Sequence, residues 1–179
     1  MKVINERSHK ITSVGHLRAI RGQSLFEVVF TVAIVALILT GITSVAVVSV
    51  RNASFSDNNA QSTRYAQTTT EWLRAERDDD WSAFLTNVGS NSPSFTYCLD
   101  SLGWSNPDSC TAAETIGSTI FMRNVSFSCF EFVTGTGFIS VVCTDVNVSN
   151  IQANISVSWV DAQGTHTVDN TARYTNWRE

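Results

Sequence analysis

The residues able to do chemistry are few and unevenly placed. Four cysteines, Cys98, Cys110, Cys129 and Cys143, all fall in the second half of the 179-residue chain. Their spacing lacks the paired Cys-x2-4-Cys units of a zinc site. In an oxidising compartment four such thiols form two disulfides, with three connectivities open. Beyond residue 22 there is one histidine, His166, and no lysine, and the chain holds neither a Gly-rich phosphate loop nor a His-Glu-x-x-His segment. No nucleophile, general base or metal centre can be assembled from this set, so the chain reads as a non-enzyme with no cofactor and no metal. One carboxylate stands apart. Glu27 lies at the mouth of a long apolar run, where a charge is costly and requires a reason.

The element that must carry Glu27 is a helix. Residues 28–50 hold no charge, and 17 of these 23 are Ala, Val, Ile, Leu or Phe. As a helix the run covers about 35 Å, enough for a hydrocarbon layer of about 30 Å. A buried core helix seldom stays apolar on every face for so long. A cleaved secretory signal has a shorter apolar region, about 7–15 residues. The charge is split at the same boundary: residues 1–22 carry +4 and the remainder −8, for a net −4. That balance argues against a nucleic-acid binder. The basic flank stays in the cytoplasm by the positive-inside rule, which sends the rest of the chain outside. The expectation is a single-pass cytoplasmic-membrane protein with an extracytoplasmic head.

The residues before the run are Arg21-Gly22-Gln23-Ser24-Leu25-Phe26-Glu27. This stretch, followed by an apolar helix, resembles the prepilin signal of type IV pilins and pseudopilins. The resemblance implies that a membrane prepilin peptidase cuts between Gly22 and Gln23 and methylates the new amino terminus on Gln23. It also implies that Glu27 is the acidic residue through which such subunits assemble. Gln23 stands where the family most often has Phe. Further on, Arg64-Tyr65-Ala66-Gln67, Glu71-Trp72-Leu73-Arg74 and Arg77-Asp78 resemble the exposed half of the long helix in minor pilins of the pilus-modification type. The segment from Val157 through Asp161, with Gly164, His166 and the closing Thr175-Asn176-Trp177, resembles that family's C-terminal region.

Periodicity supports a helix here independently. Phe55, Ser62, Tyr65, Thr69, Trp72 and Leu73, with Ala66 and Glu76 beside them, recur at helical spacing and make one semi-apolar face. Asp78-Asp79-Asp80 is unfavourable at a helix C-terminus, so the helix is expected to end near Arg77, and the acidic run reads as a solvated corner without the spacing that specifies calcium. Arg51, Arg64, Arg74 and Arg77 are expected to be packed or dispersed along the helix, not gathered into a nucleic-acid patch.

From about residue 94 the pattern becomes strand-like. Phe121, Val125 and Phe127 share one parity; Val142, Val146 and Val148 share another around Thr144; Ile155, Val157 and Trp159 alternate with serines. Asp161-Ala162-Gln163-Gly164 is a turn that joins 154–160 to 165–168 in a hairpin. Arg123 falls on an apolar parity, where it is expected to snorkel or to pair with an acid. His166 is expected as a surface or cross-strand residue. Thr134-Gly135-Thr136-Gly137 makes a turn between the strands bearing Cys129 and Cys143. A three-residue loop with 134 facing 138 puts 129 directly across from 143, and a bulge would shift this register by one. Cys98 then pairs with Cys110 by elimination, closing the loop around Trp104.

The expected fold is α+β: a long N-terminal helical spine packed on an antiparallel β-sheet head. It divides into a cytoplasmic leader (1–22), a membrane-spanning half-helix (23–50), an exposed half-helix (51–77) and a disulfide-containing β-rich head (78–179). The resemblance implies a minor pilin that begins in membrane lipid and moves into an extracellular or periplasmic filament. Its partners are then the prepilin peptidase, other pilin subunits and the inner-membrane assembly platform. A pseudopilin of a secretion or DNA-uptake machine shares every motif used, and a membrane-tethered binding module is the alternative of another class.

Overall fold

In the computed structural model, which describes residues 25–145 and 147–176, one helix carries the chain from the apolar run into the head. Helix α1 spans Leu25–Asp79. Helix α2 (Trp81–Ser90) follows, then β1 (Thr96–Cys98), a single 3-10 turn at Ile116–Ser118, β2 (Met122–Val133), β3 (Gly137–Val141), β4 (Asn150–Asp161) and β5 (Gly164–Thr175). The fold is α+β, with a long N-terminal helix and a C-terminal antiparallel sheet. The chain divides into two compact units between Val48 and Ser49, and α1 runs through the division.

In the first unit, every described residue is exposed, and the helix is long and apolar enough to cross a membrane. Three threonine hydroxyls in this run bond within the helix. Thr31 donates to the Val28 carbonyl, Thr40 to Ala36 and Leu37, and Thr43 to Leu39 and Thr40. A helix in hydrocarbon must meet its polar groups internally, and those three side chains meet that condition.

In the second unit, the sheet runs β1-β2-β4-β5, all antiparallel, with β3 pairing the far end of β2. Ser62, Ala66, Thr69 and Leu73 of α1 are buried, at spacings of four, three and four, so the expected helical face is the packed one. Against it lie the inward residues of β4, among them Ile151, Ile155, Val157 and Trp159, with Val125 and Phe127 of β2 and Tyr174 of β5. Trp159, 1% exposed, is the largest of the fully buried side chains in this core. The outward face of the sheet is polar: Thr171 donates to Oδ1 of Asn154, and Arg173 to Oε1 of Gln152.

Three expectations differ from the structure. Helix α1 reaches Asp79, and a second helix follows at once, because Asp80 caps it: its carboxylate accepts from the N–H groups of Ser82 and Ala83 at 2.8 and 3.0 Å. The acidic corner is therefore a helix start, with Asp78 bonded to Arg77 at 2.7 Å. The β2–β3 loop is Thr134-Gly135-Thr136, one residue earlier than expected, with Gly135 and Gly137 both at positive φ, 88° and 89°. Val133 thus faces Gly137, and Cys129 faces Val141 instead of Cys143. Finally, Val142 and Val148, expected to alternate in a strand around Thr144, lie outside any strand, since β3 ends at Val141 and the chain turns there, with Asp145 N–H bonded to the Val142 carbonyl, while Val146 lies outside the described residues.

Candidate functional site

Glu27 sits in the first turn of α1, between Phe26 and Val28, and is the only charge from Leu25 to Val50. The first turn presents unpaired backbone N–H groups, and the helix dipole there favours an anion. Phe26 and Phe30 stack along one side, ring centroids 6.3 Å apart, and both are exposed. An exposed carboxylate and exposed aromatic rings thus head an exposed apolar helix. Gly22 and Gln23, the expected processing pair, lie outside the described residues, as does Trp177 of the expected C-terminal segment.

Polar ties from Thr70, Glu76 and Arg77 join the outer half of α1 to the head. Thr70 supplies two: its hydroxyl accepts from Asn170 at 3.0 Å and its carbonyl from the Tyr174 hydroxyl at 3.1 Å. Glu76 accepts from the Trp104 indole at 2.8 Å, and Arg77 donates to the Thr175 carbonyl at 3.5 Å. Tyr174 is buried beneath Arg77. Burial pushes its phenol up to about 12, against Arg74 and Arg77, whose cations pull it down.

Both disulfides join the same pairs that the hairpin reasoning selects. Cys98–Cys110 closes the loop carrying Trp104, whose ring meets Trp72, Tyr97, Phe84 and Phe127 at 5.0–5.9 Å. Cys129–Cys143 joins a strand to the turn after β3, with Cα atoms 5.1 Å apart. The turn that follows β3 brings Cys143 back over Cys129 in spite of the shifted register. Its carbonyl lies 3.1 Å from where a Cβ on Gly89 would stand, so α2 approaches closely there.

Arg123 corrects an expectation. It does not snorkel and makes no ion pair among the described residues, but is 3% exposed, its Nε donating to the Leu99 carbonyl at 2.9 Å while its own carbonyl accepts from the Leu99 N–H at 2.8 Å. Desolvation lowers its pKa from the usual guanidinium value, while Tyr65 and Asp100 act the other way. His166 is half-buried on β5, stacked on Trp159, edge-on to Phe55 and bonded to Asp161 at 3.0 Å. Hydrogen bonds from the Gln163 N–H and His166 outweigh desolvation and hold the Asp161 carboxyl below its usual value. These are packing roles. The chain has four Asn-x-Ser sequences, of which Asn124 and Asn154 lie half-buried on strands, whereas Asn52 and Asn147 are exposed. Among the described residues no group of three or more His, Cys, Asp or Glu side chains gathers as a metal site.

No family model matches the chain, and no curated protein or solved structure is significantly similar to it.

Proposed function

We propose that the chain is a structural subunit of a type IV pilus-like filament, a minor pilin processed after Gly22 and assembled through its N-terminal helix. The observation that carries this reading is the uninterrupted helix Leu25–Asp79, with a lone carboxylate in its first turn, a bare apolar first half and a second half backing a disulfide-bonded sheet. The apolar half is anchored first by lipid and then by the helices of neighbouring subunits, while the sheet forms the outer surface. The prepilin peptidase and the membrane assembly platform act on it before it enters the filament.

The test is co-expression of the full chain with a prepilin peptidase, followed by mass spectrometry of the membrane fraction. The expected product begins at Gln23, and Gly22→Leu blocks its formation, because a side chain there hinders the close approach that glycine permits. A chain that keeps Met1 under those conditions sinks the reading and favours a tethered binding module.

A further inference from the structure

The Asn-x-Ser sequences at Asn52, Asn124, Asn147 and Asn154 take no part in the function proposed above. Such a sequence is where an oligosaccharide can be joined to an Asn side chain on the outer side of a membrane. The fold treats the four differently. Asn124 and Asn154 lie on strands paired along both edges, Asn124 between Cys98 and Ser156 and Asn154 between Ser126 and Thr171. Their side-chain oxygens are also engaged, that of Asn124 by the Cys110 N–H at 2.6 Å and that of Asn154 by the Thr171 hydroxyl at 3.0 Å. Asn52 is exposed but helical, and it lies just past the apolar run that ends at Val50, about 3 Å along the axis. A transferase must draw the Asn and the hydroxyl two residues on into its own site. A doubly paired strand or a continuous helix yields that segment only by losing its backbone bonds.

Asn147 differs on each count. It is exposed in the loop between β3 and β4, before Asn150, which stands opposite Phe130 in the last rung of the β2–β4 ladder. Alone of the four it has an acid two residues before it, Asp145, whose carboxylate accepts from the Asn147 N–H at 2.9 Å. That bond turns the chain locally. Val148 is buried on one side and Cys143 is tied to Cys129 on the other, so the loop offers an exposed amide between two fixed points. Ser149 supplies the hydroxyl. It accepts from the Phe132 N–H at 3.0 Å and donates to the Phe130 carbonyl at 3.4 Å. Both bonds lie past the last rung, so they can open while the ladder stays closed.

We propose that Asn147 carries an N-linked oligosaccharide, transferred from a polyprenyl diphosphate carrier at the outer face of the membrane. The inference rests on the outward head of the reading above, and not on entry into a filament. In the transfer, Nδ2 of Asn147 attacks C1 of the first sugar. The C1–O bond to the diphosphate breaks, and the polyprenyl diphosphate leaves with the bonding pair. A base of the transferase takes the amide proton. The Ser149 hydroxyl, released from β2, accepts a bond from the Asn147 amide and holds it in the reacting position.

The test is made on the full chain isolated from the membrane fraction of the cells that produce it. Electron-transfer fragmentation of its peptides keeps a sugar on its residue and reads each Asn separately. The expected result is an oligosaccharide on Asn147, at an occupancy about tenfold or more above that on Asn52, Asn124 or Asn154. Asn147→Gln is expected to remove the sugar from the loop peptide, and Ser149→Thr, which keeps the hydroxyl, to retain it. A bare Asn147 overturns the inference, as does equal occupancy at another of the four, or a sugar on the loop peptide that survives Asn147→Gln. Non-reducing mapping of the same sample separates the failures. If Cys98–Cys110 and Cys129–Cys143 have formed and Asn147 is bare, the head is outside and the glycan alone is wrong. If the four thiols are free and Asn147 is bare, the head has stayed inside and both proposals fall.

Discussion

The Trp104 indole N–H donates to Oε2 of Glu76 at 2.8 Å, and this bond fastens the loop closed by Cys98 and Cys110 to the last turns of α1. Glu76→Ala leaves that N–H without a partner in a half-buried aromatic cluster. The expected loss is about 1–3 kcal/mol, the cost of an unmade buried hydrogen bond. Glu76→Gln keeps an acceptor and is expected to lose less. Denaturant unfolding of the head, followed by tryptophan fluorescence, measures both; equal stability of Glu76→Ala and wild type would mean that the bond contributes nothing.

Arg123 and Leu99 bond each other twice, once through backbone and once through the guanidinium. Arg123→Ala removes a buried side chain and leaves the Leu99 carbonyl short of a donor, with an expected cost of about 2–5 kcal/mol. Arg123→Lys keeps the charge but not the planar geometry, and is expected to fall between. Thermal melts of the two variants rank them.

Tyr174 sets a high-pH limit. Its phenol is pushed up to about 12 by burial, above the ordinary value of 10.0. A group raised in this way supports the fold in its protonated form. The contribution is whole below pH 10 and is lost as pH rises through about 12. Tyr174→Phe is expected to flatten stability across that window, at a constant cost of about 1 kcal/mol for the bond to the Thr70 carbonyl. Urea midpoints taken from pH 9 upward test it, and an unchanged slope in Tyr174→Phe would assign the alkaline loss elsewhere.

The two disulfides close loops with sequence separations of 12 and 14. Each is expected to stabilise the head by about 3 kcal/mol through the unfolded chain. Paired Ser substitutions, one pair at a time, and non-reducing peptide mapping measure this, and a Cys110–Cys129 peptide would contradict the structure.

Glu27 is expected to matter after processing, not before. Cleavage at Gly22 would create an amino group with a reference pKa of about 7.7–8.0, largely cationic near neutrality. On the proposed filament reading a neighbouring subunit's amino terminus would meet Glu27, and removing one partner would leave an uncompensated charge in an apolar bundle. Glu27→Leu is expected to leave insertion and cleavage intact while lowering the share of protein in sheared filaments, with Glu27→Asp intermediate. Equal incorporation of Glu27→Leu and wild type would remove the recruitment role.

The sequence is most legible where one period dominates. Helical spacing marks Ser62, Ala66, Thr69 and Leu73 because the helix meets the sheet along one narrow row. The turn before Gly164 marks the β4–β5 hairpin, although the ladder extends from Asn150 to Thr175, well beyond the 154–168 expected. Helix α2 goes unseen because ten residues rich in Ser, Thr, Asn and Gly carry little periodicity, yet Asp80 followed by Phe84 and Val88 is the cap-and-face signal that marks it. The valines at 142 and 148 mislead because alternation over so short a span does not distinguish a strand from a turn pinned by Cys143. The environment of Arg123 depends on the chain at Leu99, which local spacing cannot reveal.

The ties from Thr70, Glu76 and Arg77 to the head also bear on tension. All three anchor points lie on the last turns of α1, far along the helix from Ser49, where the head unit begins. A pull on the helix from its apolar end therefore reaches Ser62, Ala66 and Thr69 of the packed row before it arrives at these bonds. The helix runs along the sheet, so the load slides one surface over the other instead of peeling them apart. The buried row and these bonds must then yield together, and a head fastened in this way resists traction more strongly than its equilibrium stability alone would indicate.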